Sequence, residues 1–260
     1  MNDSGTGKYA VVIVAAGSGE RLGFGMPKAK VPLGGEPMLV HAIRGALKSG
    51  VPDQICVALP RGDVELRSIC ETLTVEMAGS NGPALELVNG GDSRSESVRA
   101  ALDAVRGDIT AVLIHDAARP LAPAEVYERI TAALANGAKA VIPALAVVDT
   151  IKNVEPAQLG DSGLRVERVQ GTPARSQLRA IQTPQGFDLS TLRRAHEFAA
   201  TLDAEAAAEI TDDAMLVEAI GEDVFVVQGS SHSLKITTPT DLLLAEALLQ
   251  GPLAPRWVEG

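Results

Sequence analysis

Residues 10–23, AVVIVAAGSGERLG, decide how the rest of the chain is read. The run Ala10 to Ala15 is continuously apolar, as a strand covered on both faces must be. It ends in a turn that holds Gly17, Gly19 and Gly23. Glycines at such a point let the backbone reverse sharply and let a ligand approach main-chain N–H groups. A loop of such groups is a nest for phosphate oxygens. The spacing, G-x-G-x-x-x-G, is neither the dinucleotide fingerprint nor a Walker A loop. Arg21 lies inside the loop, and Lys28 follows it in MPKAKVPLGG, residues 26–35. Cations beside a phosphate nest suit a triphosphate whose charge shifts during a reaction.

The same alternation continues downstream. Met38 to Leu47 has helical spacing, with Leu39, Ile43 and Leu47 on one face. Strand-like runs at Gln54–Leu59, Leu85–Val88, Ala111–Ile114 and Ala140–Val148 alternate with helical periods at Val64–Leu73, Ser95–Val105 and Pro123–Ala135. Repeated strand–helix–strand units predict an α/β fold: a mainly parallel sheet flanked by helices. The alternation breaks over residues 149–182, which are polar and rich in Gly and Arg, with possible extended runs at Asp149–Val154 and Leu164–Val169. A stretch of this length inside a compact domain is usually functional or an interaction arm. Helices at Leu189–Ala200 and Asp212–Ile220, strands at Val224–Gln228 and Ser233–Ile236, and a final helix capped by Thr238-Pro239 complete the reading. The expected organisation is a flexible N-terminus at 1–8, one domain at 9–250 with an arm at 149–176, and a loose tail at 251–260.

Composition removes several function classes. The 260 residues carry 23 Lys and Arg against 33 Asp and Glu, a formal net charge of −10. That balance opposes a general nucleic-acid binder, and 3% aromatic content leaves little for base-stacking platforms. Cys56 and Cys70 sit in apolar segments without CxxC spacing, which points to a reducing compartment. The first residues lack a signal pattern, and no apolar run approaches the ~18 residues of a membrane span. A cytoplasmic protein with neither membrane nor nucleic-acid partner is expected.

Two further motifs sit at strand ends. GGDSRSESV, residues 90–98, offers Gly90 and Gly91 for close approach, and Asp92 and Ser97 as hydrogen-bonding groups for a base or ribose. Its bland reading is a turn plus a helix cap from Ser93 or Ser95. HDAARP, residues 115–120, places an acid at the carboxyl end of a parallel strand, where ligands bind in open α/β sheets. Asp116 can contact Mg²⁺ or a ribose there, and Arg119 offers a fork for a phosphate. His115 reads as a packed histidine. Lys152, Arg168, Arg175 and Lys235 are further loop cations, whereas QTPQGF (182–187) and ITDDA (210–214) read as a turn and a helix start.

Taken in order, AAGSGERLG with PK, GGDSRSESV, HDAARP, the DT of the arm, QTPQGF, TDDA and LKIT resemble the 2-C-methyl-D-erythritol 4-phosphate cytidylyltransferases of the non-mevalonate isoprenoid route. The resemblance covers roughly Tyr9 to Leu249. It implies a Rossmann-like nucleotidyltransferase fold, a homodimer held through the arm, and a reaction of CTP with 2-C-methyl-D-erythritol 4-phosphate assisted by Mg²⁺ carried mainly on the CTP phosphates. By the same resemblance Arg21 and Lys28 stabilise the transition state. Ala15, Ala16, Gly17, Gly19, Gly91, Asp92 and Ser97 bind CTP. Asp116, Ala117, Arg119, Thr150 and Thr183 line the acceptor site. Arg175 and Lys235 position the acceptor phosphate, with Thr150 and Arg175 open to serving a neighbouring subunit, and no dedicated protein metal ligands are implied. Lys30 stands where members often carry an aromatic residue, and Ala174 where an acid is common. The nucleophile in such a reaction is already a phosphate oxygen, so alignment and charge stabilisation matter more than a general base. A cytidylyltransferase for another polyol phosphate, such as ribitol 5-phosphate, is the nearest rival. A dinucleotide oxidoreductase is opposed by the glycine spacing, and a non-catalytic nucleotide sensor by the retention of Arg21, Lys28, Arg175 and Lys235.

Overall fold

The computed structural model describes residues 7–17, 22–78, 82–159 and 165–251. In chain order, β1 (Tyr9–Val14) leads to a 3-10 turn at Lys28–Lys30, the short strands β2 (Pro32–Leu33) and β3 (Glu36–Pro37), and α1 (Met38–Lys48). Then come β4 (Gln54–Leu59), α2 (Val64–Ala78), β5 (Ala84–Asn89), α3 (Arg94–Asp103), β6 (Ala111–Asp116), α4 (Ala124–Ala135) and β7 (Ala140–Ala146). The polar region holds β8 (Asn153–Ala157), β9 (Val166–Gly171), a 3-10 turn at Arg175–Gln177, and β10 (Arg179–Ile181). β11 (Gln185–Asp188), α5 (Leu189–Ala199), α6 (Ala204–Glu209), α7 (Asp213–Ala219), β12 (Val224–Gln228), a 3-10 turn at Ser231–Ser233 and α8 (Pro239–Gln250) follow.

The main sheet is mixed and mostly parallel. β1 lies at its centre, parallel to β4 on one side and β6 on the other, and β5 continues parallel beyond β4. β11 runs antiparallel between β6 and β7, β10 also pairs antiparallel with β7, and β12 is parallel to β7. Strand residues alternate between two cores, as a period of two demands. Val11 and Ile13 pack with Leu39 and Ile43 of α1, while Ala10 and Val12 pack with Val98 and Leu102 of α3. Every residue of β4 and β6 is buried, which is why Ile55–Leu59 and Ala111–Ile114 read as unbroken apolar runs. A third cluster joins Leu33, Met38 and Ile236 to Ala245 and Leu249 of α8.

The structure corrects several sequence expectations. QTPQGF is not a plain turn: β11 begins at Gln185, after the cis Thr183-Pro184 bond, and Phe187 is fully buried. Four residues beside a proline carry no readable period, and the strand exists because β6 and β7 pair with it. Ser233–Ile236 is not a strand. A 3-10 turn ends at Ser233, and Ile236 is buried by tertiary packing, its N–H donating to the Ala118 carbonyl. Pro123 is the N-cap of α4 rather than its first residue. The possible extended runs of the polar region resolve into an antiparallel hairpin, Asn153–Ala157 with Val166–Gly171. The helix Ala204–Glu209 had no counterpart in the sequence reading. Cys56 and Cys70 are both buried free thiols, which burial pushes up to about 12 and about 11. No helix among the described residues is long and apolar enough to cross a membrane.

β11 passes so close beneath α4 that a Cβ on Gly186 would collide with Ile130 Cγ2 and lie 3.0 Å from Leu134 Cδ1. Gly186→Ala is therefore expected to destabilise the fold by about 1–3 kcal/mol, the cost of overpacking a core. Urea unfolding should show a lowered midpoint at unchanged slope. A midpoint equal to that of the parent would contradict the tight packing.

Candidate active site

The carboxyl ends of β1, β5 and β6 bring the glycine-rich segments to one edge of the sheet. Backbone bonds tie their bases together: Ala15 N–H donates to Ala58 O (2.9 Å), Ala117 N–H to Val14 O (3.1 Å) and Gly90 N–H to Leu59 O (2.7 Å). A Cβ on Gly90 would sit 2.5 Å from Ala16 Cβ, so only glycine lets the two loops touch. Between them lies a cleft of about 650 Å³, walled by residues 15–17, 91–94 and 116–118 together with Lys28 and Lys235. Lys28 N–H reaches Gly17 O at 3.3 Å, which fixes the 3-10 turn to the first loop. Lys30 anchors the other end of that turn to the start of α2, through Asp63 (2.9 Å) and Glu65 (2.8 Å). Its departure from an aromatic residue is thus a clamp on the segment that carries Lys28.

The second loop is held by a cap. Ser93 Oγ accepts from Glu96 N–H, and the Glu96 carboxylate accepts from the N–H groups of Asp92 (2.7 Å) and Ser93 (3.2 Å). This capping box satisfies donors at the helix start that would otherwise lack partners. Ser97 is buried. Its hydroxyl donates to Ser93 O (2.9 Å) and accepts from Gly91 N–H (3.1 Å), so it shapes the loop from beneath. Asp92 stands exposed at the rim, 3.7 Å from Arg61.

The floor of the cleft is an alternating row of charges. Asp116 Oδ2 meets Lys235 Nζ at 2.8 Å and its Oδ1 meets Arg94 Nε at 3.3 Å. Arg94 Nη1 continues to Asp213 Oδ2 at 2.6 Å, and Asp213 Oδ1 pairs with His196 Nε2 at 3.0 Å. Burial alone would push the Asp116 carboxyl up, but the Arg94 and Lys235 charges outweigh it and hold the group well below the usual carboxylate range. Asp213 is likewise depressed: burial raises it, and Arg94 and His196 more than compensate. Removing one member of such a buried pair typically costs about 3–5 kcal/mol, because the other charge is stranded.

Beyond this row opens a second cavity of about 680 Å³, and Arg94, Asp116 and Lys235 belong to the walls of both. Arg119 and Thr183 also line it. Arg119 donates to Ser233 O (2.6 Å) and Ile181 O (3.2 Å), so much of its fork is committed to backbone. Thr183 is buried, and its hydroxyl accepts from Asp116 N–H (3.0 Å) while bonding His115 Nδ1 (3.0 Å). His115 is packed, as its sequence reading had it. It lies edge-on to Tyr127, and burial pushes its imidazole down to about 4.

The structure thus brings Ala15, Ala16, Gly17, Lys28, Gly91, Asp92, Ser97, Ala117, Asp116 and Lys235 to the first cavity, and Asp116, Arg119, Thr183 and Lys235 to the second. Gly19 and Arg21 lie outside the described residues. Thr150 and Arg175 reach neither cavity: both are exposed on the arm, where Arg175 donates to Val148 O at 2.7 Å. Lys152 bonds Thr172 and Arg168 pairs with Glu155 across the hairpin, so these cations also stay in the arm. Sequence reasoning missed Arg94 and Asp213. Both fall inside quoted motifs, but each sits beside a good N-cap, and that local explanation hid the long-range pair.

Comparison with known proteins agrees on one family. Residues 9–251 match the model for 2-C-methyl-D-erythritol 4-phosphate cytidylyltransferase (IspD). Relatives of that name include a Streptomyces avermitilis protein, 45% identical over 243 residues covering 93% of this chain and 92% of the relative. Another, from Rhodococcus opacus, is 45% identical over 247 residues, with 95% and 97% covered. Among solved structures, the 4-diphosphocytidyl-2C-methyl-D-erythritol synthase of Anaerococcus prevotii superposes with a TM-score of 0.78 at 28% identity, covering 95% of this chain and 97% of that one. The Thermus thermophilus 2-C-methyl-D-erythritol 4-phosphate cytidylyltransferase gives 0.68 at 32% identity, with 93% and 98% covered.

The buried His115 makes a pH prediction. Its folded pKa lies below its unfolded value of about 6.5, so the unfolded chain takes up a proton that the native state refuses. That contribution to stability is complete above pH ~6.5 and is lost as pH falls towards about 4. Over that window stability should fall with decreasing pH, and His115→Gln should flatten the slope by up to about 1.4 kcal/mol per pH unit. Identical slopes for parent and variant in urea unfolding would contradict the packed, neutral histidine.

Proposed function

Because the chain belongs to the 2-C-methyl-D-erythritol 4-phosphate cytidylyltransferase family and is a nucleotidyltransferase, we propose that its two cavities divide one reaction between them. CTP occupies the cleft between the glycine loops, and 2-C-methyl-D-erythritol 4-phosphate occupies the cavity beyond the charge row. The observation that carries this reading is their meeting at Asp116 and Lys235, which belong to both walls. A phosphate oxygen of the acceptor attacks the α-phosphorus of CTP. A new P–O bond forms as the bond to the bridging α–β oxygen breaks, and pyrophosphate leaves with that electron pair. The products are 4-diphosphocytidyl-2-C-methyl-D-erythritol and pyrophosphate.

Each residue then has a chemical task. Backbone groups of Ala15, Ala16, Gly17 and Gly91, with Asp92 at the rim, recognise the nucleoside, and Ser97 keeps Gly91 in register for it. By the family resemblance Gly19 joins this set. Small polar groups and main chain suffice for a cytosine edge, in keeping with the 3% aromatic content. Lys28 faces the phosphates and meets the charge that builds at the α-phosphate, a task that the family resemblance also gives to Arg21. Asp116, Ala117, Arg119 and Thr183 frame the acceptor, and Lys235 turns its phosphate towards the nucleotide. Held in line, the two ligands gain much of the ~7–11 kcal/mol that orientation can supply.

The nucleotide is taken to enter with Mg²⁺, which would neutralise part of the phosphate charge. No group of three acidic, His or Cys side chains among the described residues is arranged to hold a metal, and both Asp116 oxygens already face cations. That donor set suits a metal that arrives on its ligand. Val148 at the base of the arm and Ile151, Val154 and Val169 on it are exposed. We read this apolar surface as the seat of a second copy, with the arm at 149–176 handing Thr150 and Arg175 to the neighbour's acceptor cavity. Residues 9–250 act as one unit in this reading, and the buried thiols accord with a cytoplasmic setting.

Pyrophosphate release with Mg²⁺ tests the assignment, comparing CTP, UTP, ATP and GTP, with ribitol 5-phosphate as a parallel acceptor. Release with CTP and methylerythritol phosphate alone is expected. Release with ribitol phosphate instead would overturn the acceptor, and no release from folded protein would overturn the reaction. In the same assay Lys28→Ala should lower turnover by about 100-fold or more while CTP affinity changes far less, since its interaction strengthens in the transition state. Equal losses in both would remove Lys28 from that role.

A further inference from the structure

Lys235 poses a charge problem. Its ammonium sits 2.8 Å from Asp116, yet its side chain is 42% exposed and belongs to the walls of both cavities. To hold an acceptor phosphate, it must loosen its grip on that carboxylate. Asp116 is only 8% exposed, so losing its cation would strand a buried negative charge. The neighbouring groups do not replace it. Arg119 adds positive charge nearby, but its terminal nitrogens point to the Ser233 and Ile181 carbonyls and none pairs with Asp116, and His115 is neutral and bonded to Thr183.

Arg94 fills that place. Its Nε already touches the other oxygen of Asp116, and its Nη1 is pinned by Asp213, whose side chain is 1% exposed. Asp213 is pinned in turn by His196 from α5. Arg94 is thus bonded to acids on both β6 and α7 while it opens α3, and it does not depend on either ligand for its position.

We propose that Arg94, braced by Asp213, is a positioning residue that keeps Asp116 paired while Lys235 turns to the acceptor phosphate, a role that rests on reading the second cavity as the acceptor site. The brace also joins the nucleotide loop, which ends at Arg94, to the wall that the acceptor faces. Its loss therefore falls on the acceptor rather than on CTP: without Arg94, Lys235 is the cation left to pair with Asp116.

The test varies CTP and methylerythritol phosphate separately for the parent, Arg94→Gln, Arg94→Lys and Asp213→Asn. Arg94→Gln is expected to raise the acceptor KM and lower kcat by at least about tenfold each, with CTP KM changed less than about threefold. Arg94→Lys, which keeps the charge, recovers most of that loss. Asp213→Asn keeps its shape and a hydrogen bond to Arg94, and moves the same constants in the same direction by less. A merely structural role would lower the melting temperature and the active fraction and leave the acceptor KM alone. An unchanged acceptor KM in any folded glutamine or asparagine variant, or an equal rise in CTP KM, overturns the proposal. Parent enzyme that turns over CTP and methylerythritol phosphate, with no selective loss in the variants, overturns this inference alone. Parent enzyme that turns over neither overturns the functional reading and this inference with it.

Discussion

The carboxylate of Asp116 is buried, ionised and shared between two cations, and the rest of the site is arranged around that constraint. A carboxylate at such a depth survives as an anion only if positive charge stays beside it. Arg94 and Lys235 supply that charge from distant parts of the chain, and Arg94 needs Asp213 for the same reason. The result is a row in which each charge is fixed by its neighbours. It stands where β6 ends, which is also where the two cavities meet. A fold that failed to bring α3, β6, α7 and the segment before α8 together would leave a bare charge in its core.

The parallel strands make this arrangement possible. With β1 central and β4, β5 and β6 parallel to it, the glycine loop, the capped start of α3 and the Asp116 strand end all open on one edge. Backbone bonds at the loop bases hold them in register, and the capping box and Ser97 fix the second loop. An acidic protein can then gather Lys28, Arg94 and Lys235 where two polyanions must meet, because each cation is placed by local structure rather than by net charge. Most of the electrostatic work is done in advance, and in the proposed reaction Lys235 alone exchanges its partner, from Asp116 to the acceptor phosphate.

How much of this was legible in the sequence follows from how local each signal is. Gly17 and Asp116 could be placed at strand ends because the apolar runs Ala10–Ala15 and Ala111–Ile114 lead to them, runs that are unbroken because those strands are buried on both faces. Gly91 instead follows the shorter, half-exposed edge strand β5 and was placed by its glycine pair. Lys235 could be marked as a loop cation, but its partner could not, since nothing in a one-dimensional pattern ties it to Asp116. Arg94 and Asp213 are 119 positions apart, and each sits next to a good helix cap. The short strand at Gln185–Asp188 was hidden for a related reason: its conformation is set by β6 and β7 on either side, not by its own four residues. Thr150 and Arg175 mark the far limit. The resemblance marks them as candidates, the fold of one chain leaves them on an exposed arm, and the second copy proposed above would bring them to a site.

The measurement that bears most directly on this account is a crystal structure with a non-hydrolysable CTP analogue and methylerythritol phosphate bound together. The account predicts the nucleotide between the loops at Ala15–Gly17 and Gly91, the acceptor phosphate across the charge row on Lys235, and Asp116 still bonded to Arg94. Both ligands on the same side of Asp116, or Lys235 still on Asp116 with the acceptor phosphate held elsewhere, would contradict it.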